Sequence, residues 1–151
     1  MINDKLAMKG NVKFVLSSPD KKDQVIEIKN LVVDTGLAYI ASRMKDTTDA
    51  VMTHMAIGAG TTAAAGADTA LGSELARVAL TSTTIVTTTV ADDAIQYVAT
   101  FLPGTGTGAV TEAGTFNDAT AGTMLCRTVF PVINKGQYDT LTVTWKITIE
   151  P

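Results

Sequence analysis

Any acid–base or metal chemistry in this chain has to come from a few side chains: His54, Cys126, and the carboxylates Glu74, Glu112, Asp92 and Asp93. A serine or cysteine nucleophile activated by imidazole has only His54 to draw on, and a histidine-based metal site lacks a second histidine. His54 is therefore read as structural. Cys126 is the sole cysteine, which excludes an internal disulfide and a cysteine-based metal cluster and is compatible with a reducing compartment. Within the strand-like run TMLCRTVF it reads as a small buried hydrophobe. Glu74 and Glu112 are candidates for a glycosidase pair, but such a pair needs a fixed separation across a scissile bond. Both are read as strand-edge residues, with Glu74 in reach of Arg77. Asp92-Asp93 lacks the oxygen-rich spacing of a calcium loop. No catalytic, cofactor-binding or metal-binding residue is assigned.

Two glycine segments look more like a site. The first, IGAGTTAAAGADTALGSE over residues 57–74, begins with Gly58-x-Gly60, and GTGTG follows at 104–108. A phosphate loop delivers Lys and Ser or Thr to the phosphates and opens a helix whose amino end attracts the anion. No lysine lies between Ile57 and Glu74, and GTGTG runs into the strand-like AVTEAGTF. Nucleotide binding is excluded on both counts. Loops this long are commonly functional or mobile, and small side chains let another backbone approach closely. Gly58, Gly60, Thr61, Thr62, Gly66, Gly104, Gly106 and Gly108 are accordingly the candidate partner-contact residues, on arms that order against a neighbouring subunit. A mobile loop is the competing reading. A carbohydrate reader would need exposed aromatics, for which Trp145, Tyr39, Tyr97 and Tyr138 are the candidates; Trp145 lies on an apolar strand face and reads as core.

The elements that must carry these loops are mostly strands. In NVKFVLS, Val12, Phe14 and Leu16 alternate with Lys13 and Val15, and QVIEIKNLVV places Ile26, Ile28 and Val32 on one face. SSPDKKD between them is a turn, so residues 11–33 read as a hairpin. The period then changes: Leu37, Ile40, Ala41 and Met44 form one stripe of a short helix near residues 35–45, capped by Asp34 or Thr35, with Arg43 and Lys45 at its carboxyl end. After DTTDA come seven strand-like runs: VMTHMAIG, ELARVALTS, TTIVTTTV, AIQYVATFL, AVTEAGTF, TMLCRTVFPVI and TLTVTWKITI. In the last, Leu141, Val143, Trp145, Ile147 and Ile149 face one way and Thr140, Thr142, Thr144, Lys146 and Thr148 the other. Such a strand belongs to an antiparallel sheet covered on one side. The fold class is mainly β, an antiparallel β-sandwich of about nine strands and one helix. Strand order is left open, jelly-roll connectivity being one arrangement.

Composition fits one folded domain. A chain of 151 residues with 46% hydrophobic and 18% charged residues can bury a core, unlike a disordered chain. Residues 1–11 read as an N-terminal arm and 12–151 as a single β-sandwich domain. The formal charge of −3, with scattered basic residues, gives no footprint for direct nucleic-acid binding. MINDKLAMKGNVKF lacks the apolar stretch of a secretion signal, and no run suggests a membrane span, so the expectation is a protein made and kept soluble.

The succession IKNLVVDTGLAYIASRM, MTHMAIGAGTTAAAGADTALGSELARVALTST, YVATFLPGTGTGAVTEAGTFN, TMLCRTVFPVINKG and TLTVTWKITI resembles a family of small virion structural proteins of tailed bacteriophages, including phages of cyanobacteria. The resemblance runs from about residue 28 onward. It implies a non-enzymatic component without cofactors, assembled in the bacterial host cytoplasm and forming a homo-oligomer. One placement is a capsid cement or decoration protein on the exterior of the head, bridging major capsid protein subunits. The alternative is a tail, baseplate or tail-fibre component involved in host attachment. Lack of a repeat, heptad or collagen-like run favours the head. On this reading residues 1–11 and the loops 58–73 and 103–109 contact other virion subunits.

Overall fold

A computed structural model describes residues 6–46 and 49–151. Strands β1 (Ala7–Ser18) and β2 (Lys21–Val32) are followed by helix α1 (Asp34–Lys45). Then come β3 (His54–Gly58), β4 (Glu74–Ala79), β5 (Ser82–Val86), β6 (Ala94–Phe101), β7 (Gly108–Phe116), β8 (Met124–Lys135) and β9 (Thr140–Glu150). They form one antiparallel sheet in the order β4-β3-β7-β8-β2-β1-β9-β6-β5. The middle joint is narrow, because β2 and β8 pair only at Leu31–Arg127 and Val32–Cys126. Beyond it the sheet curls into two facing halves, β2-β1-β9-β6-β5 and β4-β3-β7-β8, which is a sandwich-like arrangement. β4 and β5, its two ends, are consecutive in the chain. Leu80 and Thr81 turn the corner between them, their N–H groups bonding Thr53 O and Val98 O at 2.8 and 2.7 Å.

The core lies between the halves. From one side come Val12, Phe14, Leu16, Tyr97, Phe101, Leu141, Val143 and Trp145; from the other, Met55, Ile57, Val110, Ala113, Cys126, Phe130 and Ile133, all buried. The alternation in β1 and β9 positions these side chains as the period-two pattern requires. Phe14 and Phe130 meet across the halves with ring centroids 4.2 Å apart. Trp145 donates its indole N–H to Asn30 Oδ1 at 2.9 Å, which satisfies the one polar atom that this large side chain takes into the core. Ile149 leaves the pattern: it lies past the end of the core and is exposed.

Four expectations change. The N-terminal arm of residues 1–11 overlaps β1, which pairs with β9 from Ala7–Glu150 onward; residues 1–5 lie outside the described residues. TTIVTTTV is a strand only to Val86, since Thr88, Thr89 and Val90 turn to donate their N–H groups to Asp93. The helix turns a different side inward. Gly36 and Tyr39 are buried, while Leu37 and Met44 are 53% and 82% exposed. Close approach decides this rather than the apolar stripe: a Cβ on Gly36 would overlap the Leu125 carbonyl oxygen of β8. Capping changes as well, because Val33 is the N-cap, Thr35 donates its hydroxyl to Met124 O at 2.8 Å, and Asp34 N–H donates to Gly66 O at 2.8 Å. Alanine favours a helix over glycine by about 1 kcal/mol, but overpacking costs about 1–3 kcal/mol. With the clash set against a backbone oxygen the overpacking cost lies at the top of that range, so Gly36→Ala is expected to lower stability by about 2 kcal/mol in urea unfolding, against the direction of helix propensity alone.

Candidate functional site: the clamped glycine loop

Glu112 sits on β7, between β3 and β8, so it occupies a central strand and not a strand edge. A register shift between Val110 and Glu112 sets it opposite to the core residue Ala113, on the outer face of the β4-β3-β7-β8 half, yet it is 0% exposed. The segment after β3 covers it. Its Oε1 accepts the N–H groups of Gly60 at 2.8 Å and Ser73 at 2.7 Å, and its Oε2 accepts that of Gly72 at 2.9 Å. Arg127, from the neighbouring β8, donates to Oε2 through Nε at 3.1 Å and Nη2 at 2.8 Å. One carboxylate thus closes both ends of residues 59–73 onto the sheet. Thr111 adds a hydroxyl bond to Gly60 O at 2.8 Å.

The middle of the loop is held by the other face of the guanidinium. Arg127 Nη1 meets Asp68 Oδ2 at 2.7 Å and Nη2 donates to Thr62 O at 3.1 Å, while Asp68 Oδ2 also accepts Ala65 N–H at 2.8 Å. Small residues make this cover possible. A Cβ on Gly58 would lie 2.5 Å from Ser73 O and 2.6 Å from Glu112 Oε1, and one on Gly60 would overlap the same oxygen. Leu71 then packs with Ala56, Phe116, Met124 and Val33 as a second apolar layer outside the sheet. Small loop side chains therefore serve internal packing first. Gly58 is buried, Gly60 and Gly66 are half-buried, and Thr61 and Thr62 are exposed.

The second glycine segment reaches the same end of this half-sheet. Gly104, Gly106 and Gly108 have φ of +80°, +67° and +145°, which glycine adopts without steric cost. A Cβ on Gly106 would lie 2.6 Å from Ile57 Cδ1 and 3.2 Å from Ala76 Cβ, at the end of β3 and the start of β4. Lys135, buried on β8, ties the segment down by donating to Leu102 O at 3.1 Å and Asp139 O at 2.8 Å. Gly104 is exposed, and among the described residues no atom lies within 4 Å of where a side chain would be. The fold thus brings both glycine segments to one end of the molecule.

Electrostatics favour the clamp in its charged form. Burial pushes the Glu112 carboxyl up, but the N–H groups of Gly72 and Ser73, the Arg127 guanidinium and Gly60 N–H together bring it below its ordinary 4.5. Asp68 is held below its ordinary 3.8, first by Ala65 N–H, against desolvation, and then by Arg127. Burial lowers Arg127, yet its bonds to Glu112 and Asp68 leave it raised overall and protonated. Because both folded carboxyl values lie below the unfolded ones, their stabilisation is full above pH 4.5 and is lost as pH falls through the folded values. Acidification below about pH 4.5 is expected to lower stability and speed amide exchange at Gly60, Gly72 and Ser73, and Glu112→Gln to flatten that acid limb.

The remaining candidates make contacts within the chain. His54 is half-buried with Nδ1 2.8 Å from Thr53 Oγ1. Cys126 is buried and burial pushes its thiol up, away from the nucleophilic thiolate. Glu74 and Arg77 pair at 3.0 and 2.8 Å, and the guanidinium lies 3.7 Å over the Phe116 ring. Asp93, held well below the usual carboxylate range chiefly by Val90 N–H, organises the turn before β6. Asp92, at φ +59°, donates its N–H to Thr87 Oγ1 at 3.1 Å. Trp145, Tyr39 and Tyr97 are buried, so of the four aromatics weighed for sugar binding Tyr138 is the exposed one.

Among the described residues, no group of three or more His, Cys, Asp or Glu is placed to hold a metal, and no helix is long and apolar enough to cross a membrane. Arg127, Asp68 and Lys135 were not singled out in the sequence. An arginine amid TMLCRTVF was the available signal, since a charge in so apolar a strand needs a partner if both faces are covered. Comparison with protein-family models, curated proteins and solved structures finds no match for this chain.

Proposed function

We propose that this chain is a non-enzymatic virion protein of a tailed bacteriophage, a capsid cement or decoration protein that bridges major capsid protein subunits on the exterior of the head. The observation that carries this reading is the gathering of two glycine segments at one end of a rigid sandwich. The charged groups that meet these segments, Glu112, Arg127, Asp68 and Lys135, are engaged in holding loop backbone. Exposed Thr61, Thr62 and Gly104 then offer a surface of small side chains and backbone, suited to close packing against a protein partner. The virion setting rests on the resemblance of the strand and loop succession to small phage structural proteins.

Mechanically, a packed shell is loaded outward, and a rigid protein spanning a joint adds its own interface to what must break. Many identical weak contacts act together. The test adds purified protein to capsids that lack it and measures occupancy and resistance to heat-induced rupture. Saturable binding that raises the rupture temperature is expected. No binding to heads would sink the cement reading, and binding to tails instead would move the protein to the tail or fibre.

A further inference from the structure

Among the described residues the curled sheet leaves four stretches of strand edge, and three are guarded. The first half of β2, which has no partner on its β8 side, carries Lys21, Lys22, Asp23, Glu27 and Lys29. The second half of β8 contains Pro131, which has no N–H to offer. β4 carries Glu74 and Arg77, and the 102–107 loop lies against its Ala76. Charges, proline and covering loops are the usual means by which an edge is kept from pairing. β5 has none of them. It ends the sheet, no charged residue occurs between Arg77 and Asp92, every residue from Ser82 to Ile85 is exposed, and Ile85 is 60% exposed.

We propose that β5 is the docking edge for a second copy of this chain, pairing antiparallel with its own counterpart about a two-fold axis. The uncharged sequence selects the occupant. A charged strand would find no counter-ion here, whereas self-pairing sets no like charges opposite each other. Centred on Thr84, the register places Thr84 against Thr84 and Thr83 against Ile85 of the other copy, all β-branched and suited to cross-strand contact. Such an isologous contact joins the two β2-β1-β9-β6-β5 halves into one continuous sheet and covers the Ile85 side chain. Five residues a side form a small interface, below about 1,000 Å², so the association is weak and falls in about the micromolar to millimolar range. This inference is independent of the virion reading.

Sedimentation velocity on the full chain, from about 1 µM to about 1 mM, is expected to show a monomer–dimer equilibrium. Amide exchange at Ser82–Val86 should slow as concentration rises. Thr84→Lys places two ammonium groups opposite each other and should weaken the dimer at least about ten-fold while leaving the urea unfolding midpoint unchanged. Mixing Thr84→Lys with Thr84→Glu should restore a heterodimer. A chain that stays monomeric throughout, exchange at β5 that ignores concentration, or a Thr84→Lys dimer as tight as the parent would each overturn the proposal. The exchange measurement needs no variant, so it decides the matter even where a substitution disturbs folding.

Discussion

Glu112→Ala is expected to destabilise the chain by about 3–5 kcal/mol, because removing one partner of a buried ion pair leaves the other charge uncompensated. Arg127 would keep Asp68 but lose two bonds to Glu112, and the N–H groups of Gly60, Gly72 and Ser73 would lose their acceptor together. Glu112→Gln keeps the volume but removes the charge and turns one acceptor oxygen into a donor. It should cost less, about 2–3 kcal/mol, the range for a buried charged hydrogen bond left unmade. Urea unfolding with an unchanged m-value measures both. A loss under about 1 kcal/mol for the alanine variant would mean that the carboxylate is not what holds the loop.

The second large effect lies in the sandwich core. Trp145→Ala removes a fully buried side chain from the centre of β9 and should cost about 3–5 kcal/mol through lost burial and the cavity left behind. It also takes away the donor that satisfies Asn30 Oδ1. That part-buried acceptor would be left unsatisfied in the variant. Trp145→Phe keeps most of the apolar contact and isolates the indole bond, for which a smaller loss of about 1–2 kcal/mol is expected. The two clusters lie on opposite faces of the sheet, so the Glu112 and Trp145 effects should add within about 0.5 kcal/mol. Strong coupling between them would contradict a loop that lies outside the main core.

The strands were legible because their alternation is a local property. Val12, Phe14 and Leu16 in β1, and Leu141 to Ile147 in β9, are buried as period two dictates. α1 was legible as a helix but not in its orientation. Its inward face follows from the close approach of Gly36 to the Leu125 backbone, and no pattern along the helix encodes that approach. Glu112 shows the same limit more sharply. It reads in the sequence as a strand-edge residue, whereas it lies on the central strand β7 and is covered by residues 59–73 folding back over it. The loop's glycines were recognised as sites of close approach. What approaches Gly60 first is the chain's own Glu112, a contact 52 residues away that composition cannot reveal, and Gly58 meets Ser73 O and the same carboxylate. Of the eight candidate contact residues, Thr61, Thr62 and Gly104 are the exposed ones.

Residues 59–73 form a fixed wall of the isolated protein and not an arm that waits for a neighbour. Native-state amide exchange at Gly60, Gly72 and Ser73, measured on the protein alone at neutral pH and low concentration, tests it most directly. The clamp predicts that these three amides exchange only with global or near-global unfolding, and that all three lose protection together in Glu112→Gln. Exchange at the rate of an open loop in the parent protein would contradict it.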